Sequence, residues 1–105
     1  MTRPLLLRSD YPLGVTYRHV VLFQLHEGAS ADEAVAVLQA ARPRLGASRW
    51  TITTSLDDRK GTVVVEDSTF DDEASFQAWR VSEQHVRAVA FMRENADWLV
   101  GDWVE

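Results

Sequence analysis

The chain has 105 residues, of which 46% are hydrophobic and 26% are charged, and its formal net charge is −5. These values are typical of a single globular domain, and an acidic chain lacks the basic surface that nucleic-acid phosphates require. The absence of cysteine excludes disulfides, thiolate metal sites and cysteine nucleophiles. It also gives no reason to place the protein outside the cytoplasm, so we expect a cytoplasmic protein.

Residues 1–14 contain a run of three leucines between Pro4 and Arg8. This run is too short for the apolar region of a signal peptide or for a membrane span, so we expect no membrane contact. Pro4 and Pro12 favour an extended backbone. We predict an N-terminal arm over residues 1–14, which packs on the domain or on a partner, and a single domain over residues 15–105.

Residues 16–26 are rich in β-branched and aromatic residues, which predicts the first strand. Alternation along this strand places His19 on the same face as Val21 and Phe23. A helix is predicted next, because a serine and a glutamate have the spacing of a capping box at residues 30–33. Apolar residues then recur at helical spacing until a proline and a glycine close the segment.

Residues 48–56 and 62–70 alternate as strands on either side of a charged turn, which predicts a hairpin. Asp72 stands where a second helix begins, and an acidic side chain suits the positive end of a helix dipole. Ser82 has the position of a cap for a new helical segment, so we expect the second helix to be divided into two pieces. An aromatic strand over residues 97–105 ends the chain.

The predicted order is therefore β-α-β-β-α-β with a divided second helix. This order predicts an α+β, ferredoxin-like protomer, in which helices cover one face of a four-stranded antiparallel sheet. The other face of the sheet is too apolar to lie in water. We therefore expect two sheets to pack face to face in a symmetric homodimer.

The segments YRHVVLFQL, SADEAVAVLQAARPRL, VVVEDSTFDDEASFQAW, SEQHVRAV and LVGDWVE follow one another over about residues 17–105. In this order and spacing they resemble the stress-responsive dimeric α/β-barrel (Dabb) family. The resemblance implies a ferredoxin-like protomer whose homodimer closes a dimeric α/β barrel. It does not imply one function, because one fold supports many activities.

Some members of that family, of the olivetolic acid cyclase type, close polyketide rings by aldol chemistry without a metal or an organic cofactor. The resemblance places their two pocket histidines at His19 and His85, and it places the aspartate that orients the second histidine at Asp102. The pocket tyrosine of those members is replaced by Trp79. Tryptophan has an N–H donor but no ionisable hydroxyl, so a mechanism that needs a phenol cannot be carried over.

Aldol chemistry needs a base next to a carbonyl and a donor for the enolate oxygen, and a histidine titrates near neutral pH. We therefore predict that His85 is the base and that Asp102 holds it by a hydrogen bond. His19 or the N–H of Trp79 is the predicted oxyanion donor. The predicted substrate-binding residues are Trp79, Val21, Phe23 and Glu66.

Glu66 departs from the apolar pocket positions of the cyclases, although one regular strand would place it on the inner face. Three interpretations stay open: a second base, a partner for a histidine, or an exposed residue on a strand of different register. We favour the exposed residue. A metal site is not expected, since neither His-x-His nor HExxH occurs.

Three functions are compatible with the sequence. The first is a small-molecule-binding protein that acts as a cofactor-free cyclase or lyase on a hydrophobic or aromatic compound. The second is a stress-responsive structural dimer without catalysis, in which His85 and Asp102 only tie a helix to the last strand. The third is a cofactor-independent monooxygenase. The catalytic hypothesis requires a pocket between sheet and helices, into which both histidines point.

Overall fold

The computed structural model describes residues 14–105, so all but the last residue of the predicted N-terminal arm lies outside the described range. Within it, every predicted element is present in the predicted order. The elements are β1 (Tyr17–Leu25), α1 (Ala31–Ala40), β2 (Ala47–Thr54), β3 (Val63–Phe70), α2 (Glu73–Arg80), α3 (Glu83–Asn95) and β4 (Ala96–Val104).

The four strands form one sheet in the order β2-β3-β1-β4, and all neighbouring strands are antiparallel. Strand β1 is therefore central, with β3 on one side and β4 on the other. This is the ferredoxin-like arrangement, so the predicted fold class is confirmed. The position of β1 decides which side chains meet, because residues on its inner face have neighbours on both adjacent strands.

Polar side chains cap the helices as the sequence pattern predicts. Ser30 accepts a hydrogen bond from the backbone N–H of Glu33, and Asp72 accepts one from Ser75. The predicted division of the second helix is confirmed at Ser82, whose hydroxyl accepts from the backbone N–H of His85 and begins α3. Each cap satisfies a backbone donor that has no partner inside the helix.

The core lies between the helices and one face of the sheet. Val21 and Phe23 of β1 and Val64 of β3 pack there against Leu38 of α1 and Met92 of α3. A second buried cluster of aromatic side chains, at the other end of β1, joins Tyr17, Phe70, Phe76 and Trp79. These two clusters leave polar residues of the inner face between them.

The opposite face of the sheet carries exposed apolar side chains. Leu22 is 45% exposed, Leu99 75% and Trp103 44%. The guanidinium of Arg18 lies over the Trp103 ring and forms an ion pair with Asp67 on the same face. No helix within residues 14–105 is long and apolar enough to cross a membrane.

Gly46, between α1 and β2, lies close to α2 and has a left-handed backbone conformation. Its φ is +80°, and a Cβ built on it would lie 2.7 Å from Cβ of Ser75 in α2. Gly61 has a φ of +92° but open space around it. Gly46→Ala should therefore lower the free energy of unfolding by about 2–4 kcal/mol, combining left-handed strain with overpacking.

Gly61→Ala is the matched control, because it carries only the left-handed strain of about 1–2 kcal/mol. Both values are measured by urea unfolding. Equal losses for the two variants would show that the contact between residue 46 and Ser75 is not a constraint on the fold.

Candidate functional site

A pocket of about 470 Å³ lies between the inner face of the sheet and helices α1, α2 and α3. Exposed lining residues such as Arg80 and Val100 place its mouth beside β4 and the end of α2. All seven side chains singled out in the sequence line this pocket. They are His19, Val21, Phe23, Glu66, Trp79, His85 and Asp102.

His19 is held between two carboxylates. Its Nδ1 lies 2.6 Å from Oδ1 of Asp102, and its Nε2 lies 3.2 Å from Oε2 of Glu66. The strand register produces this arrangement, because His19 stands opposite Asp102 on β4, while Glu66 stands opposite Val21 on β3. The side chains of His19 and Glu66 are 8% and 4% exposed. Both ring nitrogens of His19 are therefore occupied by acidic partners.

The two carboxylates control the charge of His19. Burial lowers the pKa of its imidazole, whereas the hydrogen bonds and negative charges of Glu66 and Asp102 raise it. The net effect is a pKa above the ordinary 6.5. The imidazolium form therefore persists to higher pH than in an exposed histidine.

Tyr17 extends this cluster and was not among the predicted site residues. Its hydroxyl donates a hydrogen bond of 2.8 Å to Oδ2 of Asp102. Tyr17 precedes His19 by two residues, so both side chains point to the inner face of β1. The period of the strand could have identified it, but only the pairing of β1 with β4 reveals its partner.

His85 occupies a different environment in the first turn of α3. Its Nδ1 lies 2.6 Å from the carbonyl oxygen of Arg80, so Nδ1–H is the donor and Nε2 carries the lone pair. Its ring lies 4.2 Å from the ring of Trp79. Burial lowers the pKa of His85, and the charges of His19 and Arg80 add to this effect. The hydrogen bond to the Arg80 carbonyl and the charge of Glu66 raise the pKa, and the net result is a pKa below 6.5. At neutral pH His85 is a neutral imidazole.

The structure contradicts three expectations about contacts. The predicted hydrogen bond between His85 and Asp102 is wrong, because Asp102 binds His19 and Tyr17, while His85 binds the end of α2. The N–H of Trp79 donates to the carbonyl oxygen of Ala41 at 2.7 Å, so it is committed to the fold. The favoured exposure of Glu66 is also wrong, since this residue is 3% exposed and partners a histidine.

The side chains of His26 and Arg80 take no part in the cluster around His19. His26 has a side chain that is 45% exposed and lies 3.4 Å from Asp97, outside the pocket. Arg80 lines the pocket mouth but was missed by the sequence analysis, because a charged residue near a helix end is ordinary. Within residues 14–105, no group of three or more acidic or histidine side chains is arranged to hold a metal ion.

A family model described as the stress-responsive A/B barrel domain matches residues 17–105. This range includes every residue of the pocket and all seven elements of the fold. No significant match was found among curated protein sequences. The relationship of this sequence to known proteins therefore rests on the family match, and the solved structures add information on the fold.

Three solved structures are similar over most of the chain. A dimeric ferredoxin-like protein from Thermobifida fusca is 17% identical with a TM-score of 0.77, covering 90% of this chain and 95% of that one. Hydroxynitrile lyase from Passiflora edulis is 21% identical with a TM-score of 0.69, covering 90% and 95%. A Dabb family protein from Mesorhizobium loti is 20% identical with a TM-score of 0.70, covering 87% and 97%. At these identities the similarity establishes the fold.

The raised pKa of His19 predicts how stability depends on pH. The folded state binds this proton more tightly than the unfolded chain, so the contribution of His19 is complete below about pH 6.5. It is lost as pH rises through the raised pKa. Glu66→Gln removes one carboxylate, and should flatten the fall in unfolding free energy as pH rises above about 6.5.

The measurement is urea unfolding of both proteins across this range, with an NMR titration of the His19 ring protons. The titration of His85 does not obscure this result, because its lowered pKa changes the unfolding free energy below pH 6.5. His26→Gln serves as the control for loss of an exposed imidazole. An unchanged slope in Glu66→Gln would contradict the role given to this carboxylate.

Proposed function

The chain belongs to the stress-responsive A/B barrel domain family, and from this premise we propose that it is a cofactor-free enzyme that makes or breaks a carbon–carbon bond beside a carbonyl. The substrate is a small, largely apolar or aromatic molecule that enters the pocket. His85 is the general base. The stress-responsive structural dimer and the monooxygenase are the alternatives.

The observation that carries this proposal is the state of the His85 ring. Its Nδ1 is bound to a backbone carbonyl, the ring lines the pocket and its pKa is lowered. The available nitrogen is therefore an unprotonated Nε2, held in one orientation against the ring of Trp79. A neutral imidazole that lines a pocket is suited to accept a proton from a bound carbonyl compound.

The proposed reaction can run as bond formation or as bond cleavage, and in both cases one proton is removed and one is added. In bond formation, Nε2 takes a proton from the carbon next to a ketone, and the resulting enolate carbon attacks a second carbonyl in the same molecule. The alkoxide formed then takes up a proton, so the product is an isomer of the substrate. In bond cleavage, Nε2 takes the proton of a hydroxyl, a carbonyl forms, and the departing carbanion takes up a proton.

The structural similarity to hydroxynitrile lyase supports the direction of cleavage. That protein is named for a lyase activity, and it shares the fold over 90% of this chain. The pocket volume also suits the proposal, since small-molecule pockets enclose about 300–1,000 Å³. Its lining combines aromatic side chains with a few polar groups, as such pockets usually do.

We further propose that the protein works as a homodimer formed through the outer face of the sheet. The exposed Leu22 and Leu99 lie on this face, and apolar patches of this kind commonly mark protein contacts. The similar protein from Thermobifida fusca is described as dimeric. A symmetric contact would bury the same face on both copies.

Leu22→Glu tests the dimer, because it places a charge at the centre of the proposed contact. Sedimentation velocity should show a dimer for the original protein and a monomer for the variant. Leu56→Glu is the control, since Leu56 is fully exposed in the β2–β3 turn and should leave the dimer intact. Dimers in both variants would exclude this face.

The catalytic proposal is tested by hydrogen exchange at carbon. Phenylacetone is incubated with the protein in D₂O, and NMR follows replacement of the protons next to its carbonyl. His85→Gln should lower the protein-dependent rate by at least about 100-fold, because glutamine is not a base at neutral pH. The rate of the original protein should rise with pH through the lowered pKa of His85.

His26→Gln is the matched control, as it removes a histidine that does not line the pocket, and it should leave the rate unchanged. No exchange by the original protein, together with a lower melting temperature in His85→Gln, would support the structural dimer. Consumption of oxygen with a phenolic probe would support the monooxygenase instead.

A further inference from the structure

Arg80 and Gln77 form a polar edge at the mouth of the pocket. Both belong to α2 and line the pocket. They are three residues apart, so their side chains leave the same side of the helix. Arg80 is exposed, which keeps its guanidinium in contact with water and open to an entering molecule.

No carboxylate within the described part of the chain, residues 14–105, pairs with Arg80. Arg42, Arg44 and Arg93 also form no ion pair with the described residues, but none of them lines this pocket. Among the described residues that line the pocket, Arg80 is the only lysine or arginine. An arginine without an acidic partner at a pocket mouth is suited to bind a carboxylate through two parallel N–H donors.

The inner end of the pocket has the opposite character. Glu66 and Asp102 both contact His19, so two acidic side chains share one imidazole there. An anion placed at this end would be repelled, whereas an anion at Arg80 would be attracted. The pocket therefore has a polarity that orients a charged ligand.

We propose that the substrate carries a carboxylate, which binds to Arg80 and Gln77 at the mouth while its uncharged carbonyl part reaches His85. The substrate class is thus an aromatic or aliphatic keto acid. Arg80 is a specificity-determining residue for the reaction. This inference rests on the proposed function, because it assumes that the pocket binds a carbonyl compound.

The positive charge of Arg80 also acts on His85. It contributes to the lowered pKa of that histidine, and the backbone oxygen of Arg80 holds Nδ1 of the same ring. A carboxylate bound to Arg80 therefore lies close to the base. The carbonyl of a ligand a few atoms longer would then stand beside Nε2.

The experiment compares two probes that differ in charge, 3-benzoylpropanoate and 3-benzoylpropanamide. Their binding is followed by quenching of tryptophan fluorescence, since Trp79 and Trp98 line the pocket. The original protein should bind the anion at least about tenfold more tightly than the amide. This preference should weaken as salt is added, because an exposed ion pair is screened.

Arg80→Gln should remove the preference, because it should weaken the binding of the anion at least about tenfold and change the binding of the amide little. The substitution keeps the backbone oxygen that binds His85. Arg80→Lys should keep part of the preference, as it retains the charge but loses the paired donors. Arg93→Gln removes an arginine from the last turn of α3, outside the pocket, and should change neither affinity.

Equal affinities in the original protein, or a preference that survives Arg80→Gln, would overturn the keto-acid inference. Exchange of phenylacetone protons would still support the proposed function in that case. If neither probe binds, the keto-acid inference is overturned as well. If phenylacetone exchange is also absent, then the proposed function fails with it.

Discussion

The imidazole of His19, clamped by Glu66 and Asp102, is the interaction on which the rest of the site depends. The three side chains come from three adjacent strands, so the clamp exists only in one register of the sheet. Burying ionised groups is costly unless each one has a partner. Here the imidazole is a hydrogen-bonding partner for both carboxylates, and they raise its pKa. The clamp keeps this part of the inner face polar, between two clusters of apolar side chains.

The two histidines of the pocket lie in opposite electrostatic environments. The pKa of His19 is raised by its acidic neighbours, and the pKa of His85 is lowered by burial. Environments that move two titratable groups apart commonly separate acid from base in an enzyme site. Both nitrogens of His19 are occupied, so it shapes the field of the pocket. Nε2 of His85 has no hydrogen-bond partner within residues 14–105, and it is the atom that meets the ligand in the function we propose.

Trp79 has a different structural role from the tyrosine at the same position in the cyclases. In the cyclases that the sequence resembles, a tyrosine stands at this position, where its hydroxyl reaches the pocket. Here the larger indole donates its N–H to Ala41, at the end of α1. Its ring still forms part of the pocket wall beside His85. The residue therefore ties α2 to α1 and contributes shape, and a phenol-dependent step is not available at this position.

The sequence alone determined the order of elements, the division of the second helix and the side chains on the inner face of β1. These features follow from local rules: strand period, helix spacing and capping residues, of which Ser82 is the clearest. Only the tertiary structure decided the partners. Asp102 binds His19 because β4 pairs with β1, and His85 turns back to Arg80 because α3 begins one turn after α2 ends. Side-chain pairing depends on register and on the angle between elements, which are properties of the packed molecule and leave no period in the sequence.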